Sequence, residues 1–316
     1  MPNQRILLLG GSGFISGALA RRAVAQGHKV WTVTRGHRSL PKGTHPLTAD
    51  INDRASMEEA VRSVDGNWEI VVDCIGREER HGQQDVELFR NRTPHLVFVS
   101  TSCVYSPDKH VFPRPTDGDL YYEDDGQPLD REEMSYWRWY ALSKRRAERA
   151  IIEGDRGQMA WTIVRPTHVY GPGSKLGCLP FAFRDPDLVA KIQSGKTLHL
   201  VGNGHFLQQP IFVTDLVEMI LSFVGNQKTH GQIYNGAGPD IVESRTYYEL
   251  IGEALGTSVQ IQEESVSEYL EEHPAEANYV CHRFYDTRNI KQSDVKAPST
   301  AIAEGLSRHV ESLLEG

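Results

Sequence analysis

Residues Ile6-Leu7-Leu8-Leu9 run straight into Gly10-Gly11-Ser12-Gly13-Phe14-Ile15-Ser16-Gly17, after which the pattern predicts a helix to residue 26. Four consecutive apolar residues of this kind suit a strand buried on both faces, as in a sheet covered by helices on both sides. Glycines at the turn let the backbone come close to a ligand. The first amides of the following helix then point at that ligand with the positive end of the helix dipole. Strand, glycine turn and helix in that order form an anion cradle, a demand that a lone tight turn does not make. Its expected contacts are Gly10, Ser12, Gly13, Phe14 and Ile15.

The rhythm continues along the first half of the chain. Apolar runs at 5–9, 29–34, 70–74 and 95–100 are separated by helical or loop segments, and a helix at 135–153 leads into a further run at 161–164. This βαβ repetition predicts an α/β fold with a Rossmann-like parallel sheet flanked by helices. After Gly171-Pro172-Gly173 the pattern loosens into helices near 187–194, 215–224 and 245–255. The expected division is a dinucleotide-binding domain at 1–170, with some crossing of segments, and a smaller substrate-binding lobe at 171–316. Between them, 106–134 is rich in Pro, Asp and Gly without periodicity, which predicts a long loop over the site.

Composition narrows the function classes. A chain of 316 residues with a net charge of −8 lacks the bulk positive charge that phosphate-backbone binding draws on, which argues against a nucleic-acid partner. The apolar runs are far shorter than a membrane span, and no charged leader precedes them, so no membrane association is expected. Four cysteines, at 74, 103, 178 and 281, show no paired spacing. No metal site is predicted, and a reducing cytoplasm fits.

Two clusters carry chemistry. The second apolar run ends Val33-Thr34-Arg35-Gly36-His37-Arg38, with no acid to accept ribose hydroxyls and two arginines suited to a 2′-phosphate. Arg35 and Arg38 therefore tilt a nicotinamide dinucleotide, NAD(P), toward NADP, with NAD still open. Further on, Tyr140-Ala141-Leu142-Ser143-Lys144 places a phenol and an ammonium on one helix face. A tyrosine is a poor base near neutral pH unless a cation favours its phenolate. With Lys144 beside it, Tyr140 takes a hydroxyl proton as hydride leaves carbon, while Lys144 also holds the nicotinamide ribose. Trp137, Trp139, Phe206 and Tyr234 are candidate pocket walls, and His168 and His205 have no partner visible in the sequence.

Gly10-x-x-Gly13 resembles the GxxGxxG pattern of extended and atypical short-chain dehydrogenases/reductases, with Ser16 in place of the third glycine. Arg165-Pro166-Thr167-His168-Val169-Tyr170-Gly171-Pro172-Gly173 resembles the RPxxVYGPG stretch of nucleotide-sugar epimerases and dehydratases, and Val213-Thr214-Asp215 their VxD helix start. The resemblance implies that Thr101, four residues before Tyr105, completes the catalytic set with Tyr140 and Lys144, with Ser102 as its neighbour. It implies that Asp50 and Ile51 meet the adenine, that Cys74 and Pro166 line the cofactor site, and that a homodimer forms through helices such as 135–153. A sugar-like substrate would contact Ser102, His168 and Gln208, although Gln208 stands where many of those enzymes use an arginine on the diphosphate. Gly76-Arg77-Glu78, a shortened helix near 83–90 and His282-Arg283-Phe284-Tyr285-Asp286-Thr287 resemble chloroplast stem-loop RNA-binding proteins and their bacterial relatives. Retention of Thr101, Tyr140 and Lys144 favours an NAD(P)-dependent epimerase, dehydratase or reductase over a nucleic-acid-binding or cofactor-sensing protein without turnover.

Overall fold

The computed structural model describes residues 3–117, 120–181 and 184–315. Strands β1 (Arg5–Leu9), β2 (Lys29–Thr34), β3 (Thr44–Thr48), β4 (Ile70–Asp73), β5 (His95–Val99) and β6 (Ala160–Pro166) pair in parallel with a seventh, Gln232–Gly236. The sheet order is Gln232–Gly236, β6, β5, β4, β1, β2, β3. The chain thus starts in the middle of the sheet and winds outward both ways, which leaves a crevice at the carboxyl ends of β1 and β4 where the winding reverses.

Alternation along β1 sorts its side chains between two cores. Ile6 and Leu8 pack with Leu19, Ala20 and Ala23 of α1 (Phe14–Ala25) and with Leu216 and Ile220 of α6 (Val213–Leu221). Leu7 and Leu9 face the other side. There Met57 of α2 (Arg54–Arg62), Phe89 of α3 (Glu79–Phe89) and Ile151 of α4 (Tyr136–Glu153) cover them. Each fully buried Leu, Ile, Phe or Met side chain among these contributes roughly 1.5–3 kcal/mol relative to exposure.

A second core belongs to the C-terminal half, where Leu188 and Ile192 of α5 (Leu188–Gln193), Tyr247, Tyr248 and Ile251 of α7 (Ser244–Ala254), and Leu306 of the terminal helix Ile302–Leu314 meet Tyr170 and Phe212. Asp215 ties this half down, its carboxylate accepting from the Ser299 and Thr300 amides at 3.0 and 2.8 Å and from the Thr300 hydroxyl at 3.0 Å. The sheet nevertheless draws its seventh strand and α6 from beyond residue 170. Chain order and spatial lobes therefore interleave.

Helix α3 begins at Glu79 and spans 11 residues, longer than the shortened helix expected near 83–90. Its first turn is polar and so carries no apolar period. What seats it is Gly82, where an added Cβ would stand 2.5 Å from the Ala147 carbonyl oxygen of α4. Among the described residues, 106–134 contains no helix or strand. It is pinned by the Arg114 amide on the Phe284 carbonyl at 3.0 Å and by Asp124 between Arg146 and Arg149. The four cysteines are free. Among the described residues no helix is long and apolar enough to cross a membrane, and no three ligating side chains group for a metal.

Candidate active site

Gly10 and Gly11 turn the chain at φ of 107° and 139°, backbone that side chains rarely adopt, and a Cβ on Gly11 would lie 2.7 Å from Thr32. This packs the turn onto β2. Ser16, in the place of the third glycine, accepts a hydrogen bond from the Gly13 amide at 3.2 Å. A small hydroxyl therefore caps α1 from within, and the next amides at the helix start remain for an anion.

From this turn a groove of about 620 Å³ runs along the sheet edge, its walls including Gly10, Ser12, Gly13, Arg35, Arg38, Asp50 and Ile51. Seven of the residues expected at the cofactor thus share one cavity. Asp50 is held below the usual carboxylate range, chiefly by the Asn52 amide and side chain, with Arg35 and Arg80 adding charge. Several groove walls were not legible in the sequence, among them Ala49, Asn52, His81, Ile75 and, from the long loop, Arg131, whose guanidinium lies 5.4 Å over the Trp139 ring. Cys74 turns instead into the apolar core, and its neighbour Ile75 takes the wall position expected of it. Phe14 also lies off the groove, facing Gly173 and Arg184.

Arg77, an exposed residue, lines this groove and also a second cavity of about 280 Å³ that contains Ile15, Thr101, Ser102, Tyr140, Pro166, His168 and Gln208. The side chains expected at the reacting centre therefore meet in the cavity next to the groove. The Tyr140 hydroxyl is hydrogen-bonded to Thr101, whose Oγ1 also accepts from the Cys103 amide at 3.2 Å. Burial raises the phenol above its ordinary value, with Cys103 adding to the rise, while Arg77 and the Thr101 bond pull it back. Burial likewise pushes His168 down to about 3, so that its imidazole is neutral.

Lys144 differs from the expectation. It shares the helix face with Tyr140, but its Nζ donates to the carbonyls of Gly76 at 2.6 Å and Val99 at 2.8 Å, beneath the cavity floor and outside both walls. Burial pushes its ammonium down to about 8 against the pull of Asp73 and Glu148. The cation acting on the phenol is Arg77. Two wholly buried carboxyls lie under Lys144, Asp73 and Asp85. Asp73 Oδ1 accepts from the amides of Ile75 and Gly76, both at 2.8 Å. Asp85 is raised well above the carboxylate range by burial and by the Asp73 charge.

Of the other candidate walls, Trp137 lines the reacting cavity and Trp139 the groove, while Tyr234 is core and His205 pairs with Glu243 on the surface. Gln208 is buried and bridged in β fashion to Arg283, a cavity residue that only the late motif hinted at.

A doubly wound parallel sheet with a glycine turn at its switch point defines the class of dinucleotide-binding α/β proteins. Residues 6–237 match the profile of the NAD dependent epimerase/dehydratase family, and the chain belongs to that family. It is 27% identical over 257 residues to a UDP-N-acetyl-alpha-D-glucosaminuronate decarboxylase of Bacillus cytotoxicus, covering 75% of this chain and 76% of that protein. It is 25% identical to the chloroplast stem-loop binding protein of 41 kDa b of Arabidopsis thaliana, over 76% of this chain but 60% of that protein. Among solved structures, UDP-glucose 4-epimerase of Thermus thermophilus in complex with NAD superposes with a TM-score of 0.73 at 18% identity, covering 98% of this chain and 99% of the other.

Proposed function

We propose that this chain holds NAD(P) along the groove and moves hydride between the nicotinamide and a carbinol carbon of a sugar-like substrate seated against Tyr140. One observation carries the reading: the Tyr140–Thr101 pair stands in a cavity that adjoins the glycine-turn groove through Arg77. When bound, the dinucleotide supplies the hydride acceptor and donor. The chain's own residues do the rest. Amides at the start of α1 receive the pyrophosphate, Asp50 meets the adenine, and Arg35 and Arg38 favour the 2′-phosphate of NADP.

Tyr140 accepts the carbinol proton and Thr101 orients the same oxygen. A buried phenol does not ionise alone at neutral pH, so the reading needs added positive charge at the nicotinamide to lower it further, beyond what Arg77 supplies. Two of the three Lys144 donors are spent on Gly76 and Val99, and the ammonium, which lines neither cavity, acts by holding those two carbonyls in place. Ser102, His168 and Gln208 complete the substrate wall, and four free thiols fit a reducing compartment such as the cytoplasm.

Calorimetric titration of NAD⁺ and NADP⁺ into the protein, followed by nicotinamide absorbance on adding sugar alcohols or sugar acids, tests this. Tyr140→Phe is expected to retain cofactor affinity within about twofold and to lose roughly 10²- to 10⁴-fold in hydride transfer. Full transfer in that variant, or no dinucleotide binding by the unaltered chain, overturns the reading. Stoichiometric cofactor turnover marks a net redox enzyme, and tightly retained dinucleotide without net turnover marks an epimerase.

A further inference from the structure

Arginines withdrawn from solvent in this chain meet two fates. Arg165 lies against Glu148, with Nε at 3.0 Å and Nη2 at 2.7 Å from its carboxylate, and Arg146 lies against Asp124. Arg114, which is 2% exposed, and Arg283, partly buried, have no carboxylate within ion-pair distance among the described residues. This is unexpected in a chain with 42 acidic residues against 34 basic ones.

Arg114 and Arg283 both line one side pocket of about 50 Å³. At roughly 10–15 Å³ for each water, that volume holds about four waters, which suits a carboxylate or phosphate and not a sugar ring. The pocket adjoins the reacting cavity, sharing Ser102, Cys103, Trp137, Leu179 and Arg283 with it, so a group lodged there would belong to a molecule lying against Tyr140. No Asp or Glu lines it. Of the acids on the segments that line it, Asp108 accepts from the Ser106 hydroxyl at 3.5 Å, Glu276 from the Tyr269 hydroxyl, and Asp286 pairs with Arg288.

Arg283 is also held in a definite pose. Its Nη1 donates to the carbonyls of Tyr279 at 2.9 Å and Cys281 at 3.3 Å, and its Nη2 to that of Asn278. That leaves the Nε–H and one Nη2–H, the same edge that Arg165 presents to Glu148. A guanidinium fixed by backbone carbonyls, drawn out of water and left without a counter-charge is costly unless the charge arrives with a ligand. The aromatic walls Trp137, Tyr122 and Tyr285 exclude water and strengthen that pairing.

We propose that Arg283, backed by Arg114, grips an oxyanion of the substrate, so that the carbinol presented to Tyr140 belongs to an acidic sugar. This rests on the hydride-transfer reading above. Gln208 Nε2 and Arg283 Nη1 both donate to the Cys281 carbonyl, at 3.5 and 3.3 Å, which puts a cation close to position 208 although 208 itself has none.

The test is calorimetric titration of NAD(P)⁺-loaded protein with glucuronate, glucose 6-phosphate and glucose as probes. At least one acidic probe is expected to bind about tenfold or more tighter than glucose, and whichever binds identifies the anion as carboxylate or phosphate. Arg283→Met is expected to lose about 10- to 100-fold for the acidic probe alone, and Arg283→Lys to keep part of the preference. Thermal melting and cofactor affinity of both variants, expected to match the unaltered chain, show that the fold persists; should Arg283→Met melt early, Arg283→Lys and Arg114→Met carry the comparison. Glucose binding as tightly as both acids, no acidic probe binding at all, or acid affinity unchanged in the variants overturns the proposal. Loss of dinucleotide binding in the unaltered chain would instead overturn the hydride-transfer reading.

Discussion

Asp85 illustrates how a single side chain can store a proton far from any sequence motif. Its folded-state pKa lies above the ordinary carboxylate value because it is buried beside Asp73. A carboxyl raised in this way favours the fold while protonated, below its unfolded value, and that contribution is lost as pH rises through the folded value. Asp85→Asn keeps the shape and removes the titration. The variant is expected to gain about 1 kcal/mol or more over the unaltered chain at pH 8 and to converge with it near pH 4, as read by denaturant unfolding at each pH. A constant difference across that range would sink the assignment of a raised Asp85 carboxyl. Spacing four apart made Tyr140 and Lys144 legible as a pair on one helix face, but it could not show that Nζ turns down to two carbonyls. Asp73 and Asp85 come from the end of β4 and the middle of α3, and nothing local announces their meeting.

Helix α4 carries more than the reacting tyrosine. Its Glu148 is wholly buried and accepts both Nε and Nη2 of Arg165 on β6, whose Nη1 also meets the Tyr105 hydroxyl at 3.0 Å and the Thr116 carbonyl at 3.3 Å. The RP motif thereby fastens the helix, the sheet and the long loop to each other. Removing one partner leaves a buried charge exposed to nothing. Glu148→Gln is expected to destabilise by roughly 3–5 kcal/mol, and Glu148→Leu combined with Arg165→Met to recover most of that loss, with chemical denaturation as the measure. Equal losses in the single and double variants would contradict the pairing. At this scale apolar runs located the strands well, since β1, β2, β4, β5 and β6 each lie within two residues of their expected bounds. Polar or short elements stayed hidden: α3 starts in a charged turn, and Gln232–Gly236 becomes a strand only because β6 offers it an edge.

Across the whole molecule, acid sensitivity is built into the sheet. His95 opens β5 with its Nε2 on the Thr162 hydroxyl at 2.8 Å and its ring 4.6 Å from that of His230. Burial pushes it down to about 3, with His230 adding repulsion. A histidine depressed in the fold contributes stability above its unfolded value of about 6.5, and that contribution drains away as pH falls toward 3. Unfolding free energy is expected to drop by on the order of 3 kcal/mol from this group between pH 6.5 and pH 4, and His95→Gln to show a correspondingly flatter profile. Identical acid profiles would rule His95 out as the cause.

The side pocket has a consequence of a different kind, because segments near residues 102–122, 137, 179 and 278–285 must all arrive before it exists. A small acid lodged there acts as a keystone. It adds about 2.7 kcal/mol at a hundredfold excess over its dissociation constant. That increment falls on the entire chain at once, so saturating ligand should merge any separate melting of the two halves into one transition.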